Sequence, residues 1–293
     1  MELYTMRYVL AVAEHENFSL AAQDCHVGQP ALSQQVSRLE KELGVALFTR
    51  SSRGTVLTEA GREFVHMAQE IVQRADALQA KMSLYAGMRR GTLNIGIITS
   101  LQCIDFGGLL SAFCGSYPEV SVNIVQDGTY RLFEKLLERK IDAAFLNRPI
   151  SGIPAGLEFI KLGEDAYSLA VPTLHPLAGR EHVSLRELKD ERFIFHQTGQ
   201  VASELCLAAC RAAGFEPRIV CRSANPTTGL YMVRGGLGVA LLPSEEFGVR
   251  MLNGVAELKL QERIVKEVGI AWRKDTVSPL VDMVVQFARE WAR

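Results

Sequence analysis

One short stretch limits the fold of this chain more than any other: His26 to Glu40, HVGQPALSQQVSRLE, predicts a helix with two contrasting faces. Its apolar stripe, with spacings of four, three and four residues typical of a helix, consists of Leu32, Val36, Leu39 and Leu43. The opposite face carries short hydrogen-bonding side chains and cations, namely Pro30, Gln34, Ser37, Arg38 and Lys41. Such a helix is seated on its domain by one face and leaves the other free to bind.

The segments around this helix predict a winged helix-turn-helix. Ser19 stands where an N-cap belongs before the short helix LAAQDC, and Gly28 stands at the start of the helix above. Two short helices joined by a tight turn that contains glycine form a helix-turn-helix. After them, LFTRSSRGTVLT predicts two short strands, a wing that carries Arg50 and Arg53.

From Thr58 the sequence predicts one long helix that ends near Tyr85. Its apolar residues, which step by four and three throughout, are Phe64, Ala68, Ile71, Ala75, Leu78, Met82 and Tyr85. A sustained period of 3.5 residues is typical of a coiled-coil seam, which favours a dimerisation helix. The alternative is a core helix that packs only on its own domain.

Beyond GMRRG, short apolar strands alternate with helices, which predicts a mainly parallel α/β sheet. TLNIGII, VSVNIV and IDAAFLN form a first set, and AYSLAVP, RFIF, RIVC and GVALLP form a second. The final VKEVGIAWR and its helix have strand partners left only in the first set. We therefore expect an α/β module of two lobes, between which the chain crosses twice.

The expected organisation is an all-α winged helix-turn-helix, a long linker helix and the two-lobed module. Their ranges are 1–58 for the winged helix-turn-helix domain, 59–87 for the linker and dimerisation helix, 88–91 for a hinge, 92–163 plus 267–293 for lobe I, and 164–266 for lobe II.

Composition excludes several classes of function. No apolar run approaches the roughly 20 residues of a membrane helix, and charges interrupt the N-terminal stretch where a signal peptide would lie, so a cytoplasmic protein is expected. The six cysteines lack CxxC or zinc-ligand spacing, which predicts no metal site. GGLGVA follows a helix and precedes a strand, the reverse of a dinucleotide site, so no cofactor is expected. Neither GxSxG nor HExxH occurs, and we expect no catalytic residues.

Residues 11–64, from AVAEHENF to GREF, resemble the winged helix-turn-helix of LysR-type transcriptional regulators. The likeness continues through the linker helix, YPEV, IDAAF, HPLA and GGLGVALLP, and so covers essentially the whole chain. It implies an effector module of the type II periplasmic-binding-protein fold, with a small-molecule effector between the lobes. It also implies self-association into dimers or tetramers that bind double-stranded DNA at interrupted inverted repeats, and contact with RNA polymerase. Many relatives have Ser or Thr where this chain has Gly28, a substitution that an N-cap tolerates.

The polar face of the helix is then expected to enter a major groove. A glutamine can pair with an adenine edge, and an arginine with a guanine edge or a phosphate, while arginines of the wing neutralise phosphates. The residues predicted to bind DNA are Gln29, Pro30, Ser33, Gln34, Ser37, Arg38, Arg50 and Arg53.

In a two-lobed α/β module, ligand contacts come from the carboxyl ends of strands and the starts of helices. Thr99 and Ser100 follow NIGII where a helix is expected to begin, which predicts an anion site and therefore an anionic effector. The residues predicted to bind the effector are Thr99, Ser100, Gln102, Asp127, Gly128, Thr129, Asn147, Arg148, His196, Gln197, Thr198, Asn225, Pro226 and Thr227.

Two alternatives remain open. The chain could be a thiol-sensing regulator of the same architecture, since Cys206 and Cys210 lie one helical turn apart and Cys103 lies near the predicted anion site. It could also be a solute-binding or catalytic α/β protein, although that function leaves the helix-turn-helix and the long helix without a role.

Overall fold

A computed structural model describes residues 1–51, 54–85, 90–244, 247 and 253–292. Its contacts divide the chain into two compact units, Met1–Met88 with Val277–Pro279, and Arg89–Thr276 with Leu280–Arg293. Among the described helices, none combines the length and the apolar character needed to cross a membrane. Within the same residues, no cluster of His, Cys, Asp or Glu is suited to hold a metal ion.

The first unit contains three short helices, a β-hairpin and a long helix: α1 (Leu3–His15), α2 (Phe18–Asp24), α3 (Gln29–Leu43), β1 (Phe48–Ser51), β2 (Gly54–Leu57) and α4 (Glu59–Tyr85). The hairpin is antiparallel and pairs Phe48 with Leu57. The core of the unit is formed by Val9, Val12, Ala21, Leu32, Val36, Leu39 and Leu47. The predicted apolar stripe of α3 is therefore buried except at Leu43, which is 39% exposed because it lies in the last turn before the left-handed Gly44.

The N-cap of α2 was predicted wrongly. Asn17, rather than Ser19, caps this helix, and its side-chain oxygen accepts the backbone N–H groups of Ser19 (2.8 Å) and Leu20 (3.2 Å). Both residues are good caps. The aromatic Phe18 decides between them because it packs against the core of the unit as the first residue of the helix, so the cap lies one residue before it.

The start of α4 lies close to the hairpin. The hydroxyl of Thr58 donates to the carbonyl of Ala46 (2.7 Å) and accepts the N–H of Gly61 (2.9 Å). A Cβ at Gly61 would lie only 2.0 Å from the carbonyl oxygen of Leu47, so only glycine allows this approach. The long helix is thereby fixed to the base of the wing.

The second unit is built on one mixed sheet with helices on its faces. The strands of this sheet are β3 (Gly91–Ile97), β4 (Val120–Gln126), β5 (Ala143–Asn147), β6 (Leu157–Pro172), β7 (His182–Val183), β8 (Arg192–His196), β9 (Arg218–Ser223), β10 (Val239–Pro243), β11 (Val255–Leu260) and β12 (Val265–Arg273). Its helices, within the described residues, include α5 (Phe106–Ser116), α6 (Thr129–Leu137), α7 (Val201–Ala212), α8 (Pro226–Arg234) and α9 (Pro279–Trp291). The strand order is β4-β3-β5-β12-β6-β10-β8-β9, and β11 pairs with β6 and β7.

Two halves of this sheet carry separate cores, which we call lobe I and lobe II. Lobe I contains β3, β4, β5, α5, α6 and α9, and its core includes Phe113, Phe145, Val281 and Val284. Lobe II contains β8, β9, β10, α7 and α8, together with the edge strands β7 and β11. The long strands β6 and β12 run antiparallel to each other from one lobe into the other. β7, β11 and the first half of β6 were not anticipated from the sequence, because their patterns are short or interrupted by charges.

Candidate nucleic-acid interface and ligand cleft

The face of α3 that was predicted to read DNA is open to solvent. Gly28 is the N-cap in an extended conformation, and Pro30 lies in the first turn. Gln29, Pro30, Gln34 and Arg38 are exposed, whereas Ser33 and Ser37 are half-buried. Gln34 and Arg38 are four residues apart, so their side chains are neighbours on one face of the helix. An amide and a guanidinium, which can both bind base edges, thus lie next to each other on the exposed face.

The wing is held to the end of α3 by a residue that sequence reasoning missed. The carboxylate of Glu40 accepts the backbone N–H groups of Leu47 (2.8 Å) and Phe48 (3.1 Å). Nothing in the sequence distinguishes Glu40 from Glu42, since both are acidic residues near the helix end. Arg50 lies on β1 with Thr55 as its partner on β2, and Arg53 lies outside the described residues.

The predicted seam of α4 divides into two parts. Near the N-terminus of the helix, Ala68 and Val72 are buried against Met6 of α1. On a neighbouring face of the same helix, one stripe of apolar side chains remains uncovered in the single chain: Met67 is 58%, Ile71 43%, Leu78 61% and Met82 50% exposed. The first part therefore belongs to the core of the unit, and the second presents an apolar surface.

The predicted effector-binding residues lie at one edge of each lobe. β3, β4 and β5 are parallel, as are β8, β9 and β10, so their carboxyl ends meet at a common edge within each lobe. Ser100, Thr129 and His196 are buried there. The other predicted residues are exposed (Thr99, Arg148, Gln197, Thr198), half-buried (Gln102, Asp127, Gly128, Asn147, Asn225, Thr227) or buried as the first residue of α8 (Pro226).

The helix after β3 begins later than predicted. A 3-10 turn, Gln102–Ile104, follows the strand, and α5 begins at Phe106. Asp105 has a left-handed backbone (φ 44°), which ends the turn, and its carboxylate accepts the N–H of Gly108 (3.2 Å). Thr99 and Ser100 therefore do not form a helix N-terminus, and the anion site predicted there lacks its physical basis.

Sequence reasoning missed a buried charged pair on the two strands that join the lobes. Lys266 on β12 is 2% exposed and is the register partner of Asp165 on β6, at the point where both strands pass between the lobes. Its ammonium lies 3.5 Å from a carboxylate oxygen of Asp165 and donates to the hydroxyl of Ser100 (2.9 Å). The Ser100 hydroxyl in turn donates to the amide oxygen of Gln102 (3.1 Å). The signal available in the sequence was Lys266, a charged residue inside the predicted strand VKEVGIAWR.

Two aromatic residues of lobe II border this pair. The ring of His196 lies 3.3 Å, through Nε2, from the carbonyl of Leu241, and its pKa is lowered to about 4 by burial and, in smaller part, by the charge of Lys266. The ring of Tyr167 packs edge-on against His196, with centroids 6.3 Å apart. Its hydroxyl is buried and has no hydrogen-bond partner among the described residues, and burial raises its pKa well above the usual value.

The two lobes also touch through side chains. The hydroxyl of Tyr130, in the first turn of α6, donates to the carboxylate of Glu204, in the first turn of α7, with distances of 2.8 and 2.7 Å to its two oxygens. Burial and the neighbouring carboxylate raise the pKa of Tyr130 to about 12. This contact joins lobe I to lobe II at the opening between them.

Of the three cysteines that prompted the thiol-sensing alternative, Cys206 and Cys210 are buried and Cys103 is half-buried. Burial raises the pKa of Cys206 well above its usual value, and burial together with Glu216 raises that of Cys210 to about 12. The thiolate is the reactive form of a cysteine, so these two side chains are unreactive in this conformation.

Comparisons with known proteins agree with this architecture. The family described as "Bacterial regulatory helix-turn-helix protein, lysR family" matches residues 3–62, and "LysR substrate binding domain" matches residues 86–293. The transcriptional dual regulator GltC of Bacillus subtilis (strain 168) is 32% identical over 294 residues, covering 98% of this chain and 97% of that protein. A full-length OxyR variant from Pseudomonas aeruginosa superposes with a TM-score of 0.78 at 26% identity, covering 99% and 95% of the two chains. Full-length CbnR in complex with its target DNA superposes with a TM-score of 0.59 at 25% identity, covering 100% of each chain.

Proposed function

The chain belongs to the LysR family of transcriptional regulators, and from this premise we propose which residues read DNA and where a small molecule acts. The protein is a DNA-binding regulator with an effector-binding domain. The single observation that supports the DNA-reading site best is the solvent-exposed pair Gln34 and Arg38 on α3. CbnR, a relative in fold, was solved on its target DNA.

In this proposal α3 lies in the major groove with Gln34 and Arg38 at base edges. Gln29, Pro30, Ser33 and Ser37 approach the same strand of DNA, and Arg50 and Arg53 of the wing neutralise phosphates. The Glu40 contacts fix the wing relative to α3, so base-reading and phosphate-binding residues keep one geometry.

Replacing Arg38 with alanine tests the reading site. If the guanidinium binds a base edge, affinity for the operator falls by about 1–3 kcal/mol while affinity for random DNA falls less. Gel shifts at fixed salt, on matched operator and random duplexes, measure both losses. Arg211→Ala, which removes an exposed arginine of α7, is the control. Equal losses on both duplexes would make Arg38 a phosphate contact, and an undiminished affinity would remove it from the interface.

The exposed apolar part of α4 supports self-association into dimers or tetramers. Four large apolar side chains on one helix are costly to leave in water, and a second copy of α4 would cover them with the same chemistry. Two DNA-binding domains held together in this way would meet the two halves of an inverted repeat.

The cleft between the lobes is the proposed effector site. Each lobe supplies buried polar side chains at its facing edge, Ser100 and Thr129 from lobe I and His196 from lobe II. A ligand that contacts both lobes favours the closed arrangement by its difference in affinity between the closed and open forms. The Tyr130–Glu204 contact already joins the lobes without a ligand. The effector would therefore shift an equilibrium between open and closed arrangements of the two lobes.

The function on DNA also leads us to propose a further partner and a location in the cell. A regulator that activates or represses a promoter acts next to RNA polymerase, which we propose as a further partner, and it does so in the cytoplasm, where the bacterial chromosome lies.

A further inference from the structure

Of the four helices that start at the facing edges of the lobes, α5 and α8 have a side-chain cap from the chain itself, whereas α6 and α7 have none but carry a carboxylate close to their start. Asp105 caps α5, and Asn225 caps α8 by accepting the N–H of Thr228 (2.9 Å). Asp127 accepts the N–H of Gly128 at the start of α6 (2.8 Å), and Glu204 lies in the first turn of α7. Three of these four groups are carboxylates. An anion at the start of α5, α6 or α7 would therefore meet a neighbouring carboxylate as well as the helix dipole.

The buried cation of the cleft is also neutralised. Lys266 has Asp165 as its neighbour on the paired strand, and both side chains are nearly inaccessible, at 2% and 3%. An anion that entered beside this pair would leave one net negative charge buried, which costs several kcal/mol unless it is neutralised. A further cation of lobe II, Arg222, is exposed and donates to the carbonyl of His196 (2.9 Å).

Beside the same charged pair, in contrast, hydrogen-bond donors remain without an acceptor among the described residues. The ammonium of Lys266 has three N–H bonds, and its partners in the described part of the chain are Ser100 and Asp165. Tyr167 lies two residues beyond Asp165 on β6, so both side chains point to the same face of the sheet. Its buried hydroxyl has no partner among the described residues. A buried polar group in this position is costly unless a partner is supplied.

We propose that the effector is an uncharged molecule that presents a carbonyl or hydroxyl oxygen to Lys266 and Tyr167. The Lys266–Asp165 pair stays intact and neutral, and the ligand accepts a hydrogen bond from each of the two donors. This rests on the cleft being the effector site, and it replaces the anionic effector that the sequence alone predicts.

The proposal is tested with two probes of the same shape, acetamide and acetate, in one sample of the full-length protein. Saturation-transfer NMR detects weak binding of each through its own methyl resonance. The expected result is saturation of acetamide and not of acetate. Tyr167→Phe removes only a hydroxyl without a partner, so it should fold normally and reduce the acetamide signal.

Three further variants identify the donor and the source of the selectivity. Lys266→Met should abolish the acetamide signal, whereas Lys259→Met, at an exposed lysine of β11, should leave it unchanged. Asp165→Asn gives the pair a net positive charge and should transfer the signal to acetate.

Several outcomes would overturn the proposal. Acetate saturated by the wild-type protein as strongly as acetamide would show that the cleft accepts an anion. Saturation of neither probe would show that the donors are closed to ligands, and an acetamide signal unchanged in both Tyr167→Phe and Lys266→Met would place its binding elsewhere. The first of these outcomes refutes the charge assignment alone, because the Arg38→Ala gel shifts test the regulator function independently.

Discussion

Acidification should weaken the second unit through His196, whose native pKa of about 4 lies below the ordinary value of 6.5. The ring is buried and neutral, so the unfolded chain binds more protons than the native protein between these two values. The resulting stability is fully present above pH 6.5 and is lost as the pH falls toward 4. Because one pKa unit corresponds to about 1.4 kcal/mol, the descent from near pH 7 to near pH 5 should cost about 2 kcal/mol through this side chain.

Urea unfolding monitored by tryptophan fluorescence measures this loss selectively. The chain contains two tryptophans, Trp272 and Trp291, and both belong to the second unit. His196→Gln retains a donor that can face the carbonyl of Leu241 but cannot be protonated. The free energy of unfolding should therefore decrease by about 2 kcal/mol less in the variant than in the wild type on going from near pH 7 to near pH 5.

An exposed histidine provides the control. His182 has a side chain that is 51% exposed, so His182→Gln measures the effect of the same substitution at an exposed site. Carboxylates contribute equally to all three proteins and cancel from the comparison. If wild type and His196→Gln lost the same free energy, the ring would have to be protonated in the native state, and its assignment as a buried neutral group would be refuted.

The remaining predictions concern the first unit. Leu78→Glu should reduce the assembly measured by sedimentation without unfolding the chain, because Leu78 is 61% exposed in the single chain; an unchanged assembly would show that this part of α4 is not an interface. Gly61→Ala should destabilise the unit by about 1–3 kcal/mol in thermal unfolding followed by circular dichroism, because its Cβ would collide with the carbonyl of Leu47; an undiminished melting temperature would contradict that approach. Asn17→Ala should cost about 1 kcal/mol in the same assay and Ser19→Ala almost nothing, and the reverse order would restore Ser19 as the cap.

Periodicity made the helices of the first unit predictable. The apolar residues of α3 repeat with the period of a helix, so its buried stripe could be predicted apart from Leu43, and the exposed positions of Gln34 and Arg38 with it. The same reasoning could not divide the seam of α4 into its buried and exposed parts. That division depends on which face of α4 packs against Met6 of α1, which is a tertiary contact.

The centre of the cleft could not be predicted in this way. Lys266, Asp165 and Ser100 are far apart in the chain, and β6 and β12 bring them together only because both strands pass between the lobes. Tyr130 and Glu204 meet for the same reason. Sequence patterns predict which strands and helices form, whereas a charged pair between two strands requires their register.

The crossing strands also affect the order in which the newly made chain can complete its parts. The core of lobe I includes Val268, Ile270, Val281 and Val284, which leave the ribosome after the strands of lobe II, while its strands β3, β4 and β5 leave far earlier. The segments of lobe II all emerge in between. During translation, lobe I therefore exposes an unfinished apolar surface for the whole time that lobe II is being made, and chaperones that shield such surfaces have their longest opportunity there.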